Sequence, residues 1–253
     1  MVCKYTKTIN FVHKQTSLKN KNILIVGGSS GIGLALIKHL ALQEANIYNL
    51  SRTSSDDWPA GINHIEADVL DDLISVSSQI PEQLHGLVYS VGSINLKPFN
   101  RLTQEDFLND YKINVLGATQ IIQLCLKALK ASGEASIVLY SSVAAKAGMP
   151  FHASIASAKA AIEGLTLALA AEFSPFKIRV NAIAPSLTDT PLAKNLLSNE
   201  EKKEASAKRH PLNKIGTPQD IAFATQFLLS DHSSWITGQI IGIDGGLSTL
   251  RHL

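Results

Sequence analysis

Cysteine is nearly missing: Cys3 and Cys125 are the only two in 253 residues. Neither belongs to a C-x-x-C pair or a Cys/His spacing suited to zinc. Disulfide scaffolds, structural zinc and dithiol redox chemistry therefore fall away, and a reducing compartment suits the pair. An excess of one charge is missing too. Twenty-three Lys and Arg against 21 Asp and Glu leave +2, a field too weak to favour nucleic acid. No uninterrupted apolar run approaches the roughly 18 residues of a membrane span; the longest candidate, Ile162 to Phe173, is broken by Glu163 and Glu172. The N-terminal stretch carries Lys4, Lys7, Lys14, Lys19 and Lys21 without the apolar core of a secretory signal. Cytoplasm is the default compartment. The eight histidines show no H-E-x-x-H spacing, and Ser142 has no G-x-S-x-G elbow, so neither a metal site nor a serine hydrolase is indicated.

What is present is a large apolar fraction, 45%, with low net charge, which excludes disorder as the main state. β-Branched runs alternate with helical patterns from Asn22 onward. Strands are expected at Asn22–Val26, Asn46–Leu50, Asn63–Val69, Gly86–Val91, Ser136–Tyr140, Lys177–Ile183 and Gln239–Ile243. Helical patterns fall at Ile32–Gln43, Thr103–Lys130, Ala153–Phe173 and Pro218–Leu229. This alternation predicts an α/β fold: one Rossmann-type domain over residues 18–253, with a doubly wound, seven-stranded parallel sheet. Residues 1–17 read as a basic extension, and the Pro185–Arg209 stretch, residues 186–209 in particular, as a lid. The Glu200–Arg209 charge run reads as a solvated helix face.

The first strand runs directly into Gly27-Gly28-Ser29-Ser30-Gly31-Ile32-Gly33, which opens a helix. Glycines there let the backbone approach a pyrophosphate, and the helix start offers free N–H groups and partial positive charge. The turn is expected to bind a dinucleotide through Gly28, Ser29, Ser30, Gly31, Ile32 and Gly33. The second strand ends Leu50-Ser51-Arg52, with no acid to hold a ribose 2′-OH and an arginine suited to a 2′-phosphate. NADP(H) is favoured over NAD(H). Lys159 stands alone in an alanine-rich helix, where an uncompensated ammonium is costly; ribose hydroxyls would suit it.

These residues resemble the short-chain dehydrogenase/reductase family from about Ser17 to Leu253. Asp68-Val69 lies where family members hold the adenine. Asn114-Val115-Leu116-Gly117 is similar to the helix-borne asparagine motif, and Ser141-Ser142 ends the fifth strand as the catalytic serine does in relatives. Val180–Pro185 leading to Thr188-Asp189-Thr190 resembles the segment that grips the nicotinamide carboxamide; Ile243-Asp244-Gly245-Gly246 matches the last strand. The resemblance implies an oxidoreductase moving hydride between the nicotinamide and a small molecule, with Ser142, Lys159 and Asn114 catalytic. It also implies cofactor contacts from Gly92, Pro185, Thr188 and Thr190, and a homodimer or homotetramer. The match breaks at one decisive place. Relatives carry a tyrosine proton donor four residues before the lysine, and here that residue is Ile155. Relatives also often have Asn-Asn-Ala-Gly where this chain has Tyr89-Ser90-Val91-Gly92, and a glycine where it has Ser186.

General acid–base catalysis contributes about 10²–10⁴-fold, or roughly 3–5 kcal/mol, so the missing phenol matters. His152, seven residues before Lys159, occupies a position resembling the tyrosine of enoyl reductases in this superfamily. Histidine is the commonest general acid near neutral pH. Ser154 and Tyr140 are weaker candidates, and Lys159 acting through a water is another route. Two functions follow: an NADP(H)-dependent oxidoreductase of a carbonyl/alcohol or enone-like small molecule with a non-standard proton donor, or a catalytically silent NADP(H)-binding scaffold or redox sensor.

Overall fold

The computed structural model describes residues 18–250; the basic extension and Cys3 lie outside them. Seven parallel strands form one sheet in the order β3-β2-β1-β4-β5-β6-β7. They are β1 (Asn22–Val26), β2 (Asn46–Ser51), β3 (Asn63–Glu66), β4 (Gly86–Tyr89), β5 (Ala135–Tyr140), β6 (Ile178–Pro185) and β7 (Ile240–Ile243). Helices α1 (Gly31–Leu42), α2 (Gln104–Tyr111), α3 (Gly117–Ala131), α4 (Ala153–Phe173), α5 (Glu200–Lys208) and α6 (Pro218–Leu229) accompany it. The anticipated architecture is present, and the corrections are local. The third and fourth strands stop at Glu66 and Tyr89, three and two residues short of their apolar runs. The Thr103–Lys130 pattern is not one helix: a π-helical turn, Lys112–Leu116, separates α2 from α3.

Alternation along the buried strands divides the core into two layers. Leu24 and Val26 of β1, with Leu87, Ile137 and Leu139, meet α3 and α4. Ile23 and Ile25, with Val88, Val138 and Tyr140, meet α1 and α6. Both sheet faces are covered, as an all-parallel sheet requires. Because β1 pairs with both β2 and β4, chain direction along the sheet reverses there. The crevice beyond the carboxyl ends of β1 and β4 is therefore the place where a doubly wound fold binds its ligand.

Helix α4 is long and apolar enough to cross a bilayer by length and composition. Here it is a core helix whose buried stripe, Ser154, Ile155, Ala158, Lys159, Ile162, Thr166, Ala170 and Phe173, lies on one face. Within one chain only that face is covered, and Leu167 on the other is exposed. The Pro185–Arg209 segment is not irregular throughout. It holds a 3₁₀ turn, Pro191–Ala193, and α5, anchored by buried Ala193, Leu197 and Ser206.

Helix α6 starts with a complete capping box. The Thr217 hydroxyl accepts from the Asp220 amide, and the Asp220 carboxylate accepts from the Thr217 amide at 2.8 Å. These bonds from Thr217 hold the Asp220 carboxyl below its ordinary value. A depressed carboxylate contributes stability above its unfolded pKa and loses it as pH falls. Thr217→Ala is therefore expected to cost about 1 kcal/mol in urea denaturation at pH 7. The deficit should narrow below about pH 4, where the carboxylate is protonated.

Candidate active site

The glycine turn is shaped by contacts that leave no room for side chains. A Cβ on Gly33 would strike the carbonyl oxygen of Gly27, so the first turn of α1 sits directly on the end of β1. The Gly28 peptide is gripped on both sides: its N–H donates to Asn49 Oδ1 at 2.8 Å, and its carbonyl accepts from the Trp58 indole at 2.9 Å. Asn49 is fully buried on β2 and donates in turn to Ser51 Oγ. This overturns one expectation. The Gly28 amide is committed to Asn49 and does not line the crevice, so Gly28 shapes the turn rather than offering its N–H to a phosphate.

The crevice beside this turn is a cavity of about 680 Å³. It is lined by Ser29, Ser30, Gly31, Ile32 and Gly33, then by Arg52 after β2, Asp68 and Val69 after β3, and Gly92 after β4. Thr190, Pro191 and Leu192 close it from the lid. Pro185 and Thr188 are not among the lining residues; Thr188 is buried, and its hydroxyl donates to the Ser186 carbonyl. Arg52 is mostly exposed at the rim, 3.9 Å from the Asp68 carboxylate. A cradle at a helix N-terminus that mixes hydroxyls with apolar side chains and has a cation at its rim fits a phosphorylated dinucleotide.

At the other end three expected residues converge. A Cβ on Gly92 would lie 3.3 Å from Asn114 Oδ1 and 3.5 Å from Lys159 Nζ. Asn114 rides on the π-helical turn, and its amide nitrogen donates to Ser93 Oγ and the Asp110 carbonyl. Its Oδ1 is buried and is the one such side-chain atom without a hydrogen-bond partner among the described residues. Lys159, on the buried face of α4, donates to the Tyr140 carbonyl at 2.8 Å. Burial pushes its ammonium down to about 8, with the Asp110 charge opposing. An orphaned acceptor beside an ammonium with spare hydrogens is an arrangement awaiting a polar ligand.

Ser142 follows β5 and is half-buried; its oxygen accepts from the Ala144 amide at 3.2 Å, leaving its hydrogen for a ligand. His152 precedes α4, with Nδ1 on the Pro150 carbonyl at 2.7 Å. That contact fixes the Nδ1–H tautomer in neutral imidazole and turns Nε2 away from its own backbone. Phe151 beside it has φ of +70°, a strained value for an aromatic residue, and its carbonyl accepts from the Lys97 amide. Two weaker candidates are removed. Tyr140 points through the opposite sheet face to Thr225 Oγ1 at 2.7 Å, and Ser154 is bonded to Asp110 at 2.6 Å. Ile155 is 6% exposed, so hydrocarbon packs one helical turn before Lys159 on the buried face of α4. Asn49, Trp58 and Asp110 were not legible as site residues, because each acts through a partner distant in sequence.

A family model described as Enoyl-(Acyl carrier protein) reductase matches residues 27–248. A tropinone reductase homologue of Arabidopsis thaliana is 34% identical over 93% of this chain and 95% of its own length. The chain belongs to the short-chain dehydrogenase/reductase family. A second relative in the family, the 3-oxoacyl-[acyl-carrier-protein] reductase of Thermotoga maritima, is 32% identical over 91% of this chain and 98% of its own length. Among solved family structures, the aldohexose dehydrogenase of Thermoplasma acidophilum superposes with TM-score 0.87 at 27% identity, covering 94% of this chain and 98% of that one. ElxO with NADP bound gives 0.83 at 28% identity, covering 91% and 100%. The resemblance drawn from the motifs is thus shown for the family, together with its seven-stranded Rossmann-type sheet and its oxidoreductase class.

This short-chain dehydrogenase/reductase bears a stability cost at its lysine. Between about pH 8 and the ordinary lysine value near 10.5, the unfolded chain binds more protons than the folded one. Stability therefore rises with pH through that window, and the burial penalty is fully present below it. Lys159→Met removes that penalty but also the cation matched to buried Asp110, so it is expected to lose the wild type's rise in stability between about pH 8 and pH 10 in denaturant titrations.

Proposed function

We propose that this protein is an NADP(H)-dependent reductase of a carbonyl or enone-like small molecule, acting in the cytoplasm. The observation that carries the reading is the convergence of Gly92, Asn114 Oδ1 and Lys159 Nζ at the inner end of the cradle. When bound, the nicotinamide cofactor supplies the hydride. Ser29, Ser30 and the amides opening α1 hold its phosphates, Arg52 takes the 2′-phosphate, and Lys159 holds the ribose. Ser142 donates its free hydrogen to the substrate oxygen and orients it. His152 holds the proton that a phenol would otherwise supply, delivered from Nε2 while Pro150 anchors Nδ1. A solved tyrosine-to-phenylalanine variant of the family member ElxO with NADPH bound supports the choice of cofactor.

Ile155 favours a second reading, a silent NADP(H)-binding protein. The two separate in one assay: NADPH binding by calorimetry, followed by NADPH oxidation across a panel of ketones, aldehydes and enones. Turnover is expected, lost in Ser142→Ala and lowered about 10²–10⁴-fold in His152→Gln. Tight binding without turnover across the panel establishes the silent reading. Arg52→Ala should weaken NADPH by about tenfold or more while sparing NADH, and equal losses would remove the 2′-phosphate assignment.

The uncovered side of α4 and the neighbouring exposed Leu108, Tyr111, Leu116 and Leu167 support assembly into a homodimer or homotetramer. Exposed apolar patches mark association surfaces. Sedimentation at micromolar concentration is expected to give a dimer or tetramer, and Leu167→Glu to shift it towards the 27.2 kDa monomer.

A further inference from the structure

Asp110 is 2% exposed, and a carboxylate is almost never buried to that degree unless something answers its charge. Its direct partners are hydroxyls from two other elements. Ser93, next to Gly92, donates to Oδ1 at 2.6 Å, and Ser154 of α4 donates to Oδ2 at 2.6 Å. Ser93 Oγ already accepts from Asn114 Nδ2, so its own hydrogen is directed to Asp110. Oδ1 thus receives a hydroxyl hydrogen, and Oδ2 shares the Ser154 hydroxyl with the Asp106 carbonyl, which lies 3.2 Å from Ser154 Oγ. Asp110 thereby ties together three elements, and each carries one residue of the convergence: Gly92, Asn114 and Lys159.

We propose that Asp110 is a positioning residue, a buried anion that keeps Lys159 protonated where the family's phenol has been replaced by Ile155. The proposal rests on reading Lys159 as the ribose-holding cation. The other charged groups around α4 are already answered. Glu163 accepts from Ser141 and pairs with Lys146 at 3.3 Å, and Asp106 pairs with Lys97 at 2.5 Å. His152 stands at the helix start on the Pro150 carbonyl. The phenols of Tyr140 and Tyr89 bond to Thr225 and to the Ile113 carbonyl. That leaves Asp110, bonded to Ser154 of α4 and to Ser93 next to the Gly92 whose Cβ position lies 3.5 Å from Lys159 Nζ, and its charge opposes the desolvation that drives the ammonium towards its neutral form.

The test is a pH titration of the full-length protein labelled with ¹³Cε-lysine and followed by NMR, with the Lys159 signal identified by its loss in Lys159→Met. The wild-type midpoint is expected near 8. Asp110→Asn, nearly isosteric, should lower it by about one pH unit or more. Asp110→Ser is a second neutral replacement read in the same way, and Asp110→Glu should restore the midpoint. Ser154→Ala, which removes a hydroxyl and keeps the charge, should leave it close to wild type. An unchanged midpoint in the neutral variants, or an equal shift in Ser154→Ala, overturns the proposal. NADPH titration of the same samples judges the proposed function separately. A wild type that binds no nucleotide removes the reductase reading, and the Lys159 midpoints still decide for or against Asp110.

Discussion

An ammonium taken out of water must be answered from every side, and the cleft of this protein is organised around that demand at Lys159. β5 contributes a carbonyl from Tyr140, the π-helical turn brings the unpartnered Asn114 Oδ1 close, and Gly92 leaves the space between them. Such a group costs stability unless ligands complete its shell. The protein therefore keeps a local instability at the point where binding would relieve it, a common feature of functional sites. The π-helical turn has the same logic: it inserts a wider turn into an otherwise continuous helix, and Asn114 Oδ1 lies beside Gly92, which lines the cleft.

The glycine-turn end of the cleft obeys a different constraint, close backbone approach. The α1 start rests on β1 because Gly33 has no Cβ, and the Gly28 peptide is fixed by Asn49 and Trp58. Asn49 and Trp58 thereby preorganise the turn without lining the crevice themselves. The lid then approaches through Thr190, whose side chain lies 3.5 Å from where a Gly31 Cβ would stand. Rigid backbone at one end and a buried charge at the other make a cleft that distinguishes its two halves chemically.

Much of the fold could be read from the chain because its signals are local. β-Branched runs announced the strands, and the Ala153–Phe173 and Pro218–Leu229 patterns gave α4 and α6 with the same bounds as in the structure. Glycines in a strand-to-helix turn announced the cradle. The errors arose where an apolar run outlasts its element, as at Ala67–Val69, where the chain leaves the sheet to line the crevice. Tyr140 was a candidate for the site, but it ends β5 with its hydroxyl bonded to Thr225 in the other core layer. Ser154 looked free because Asp110 lies 44 residues earlier.

The residues alone therefore determined the layer architecture, the cradle and the absence of a phenol at position 155, since each depends on periodicity or on one residue's chemistry. Tertiary structure decided which polar groups are already engaged: Gly28 with Asn49, Ser154 with Asp110, Tyr140 with Thr225. Hydrogen bonds of this kind join strands and helices that are distant in sequence. Their worth is set by burial and by the scarcity of alternative partners, and those quantities exist only once the chain has folded.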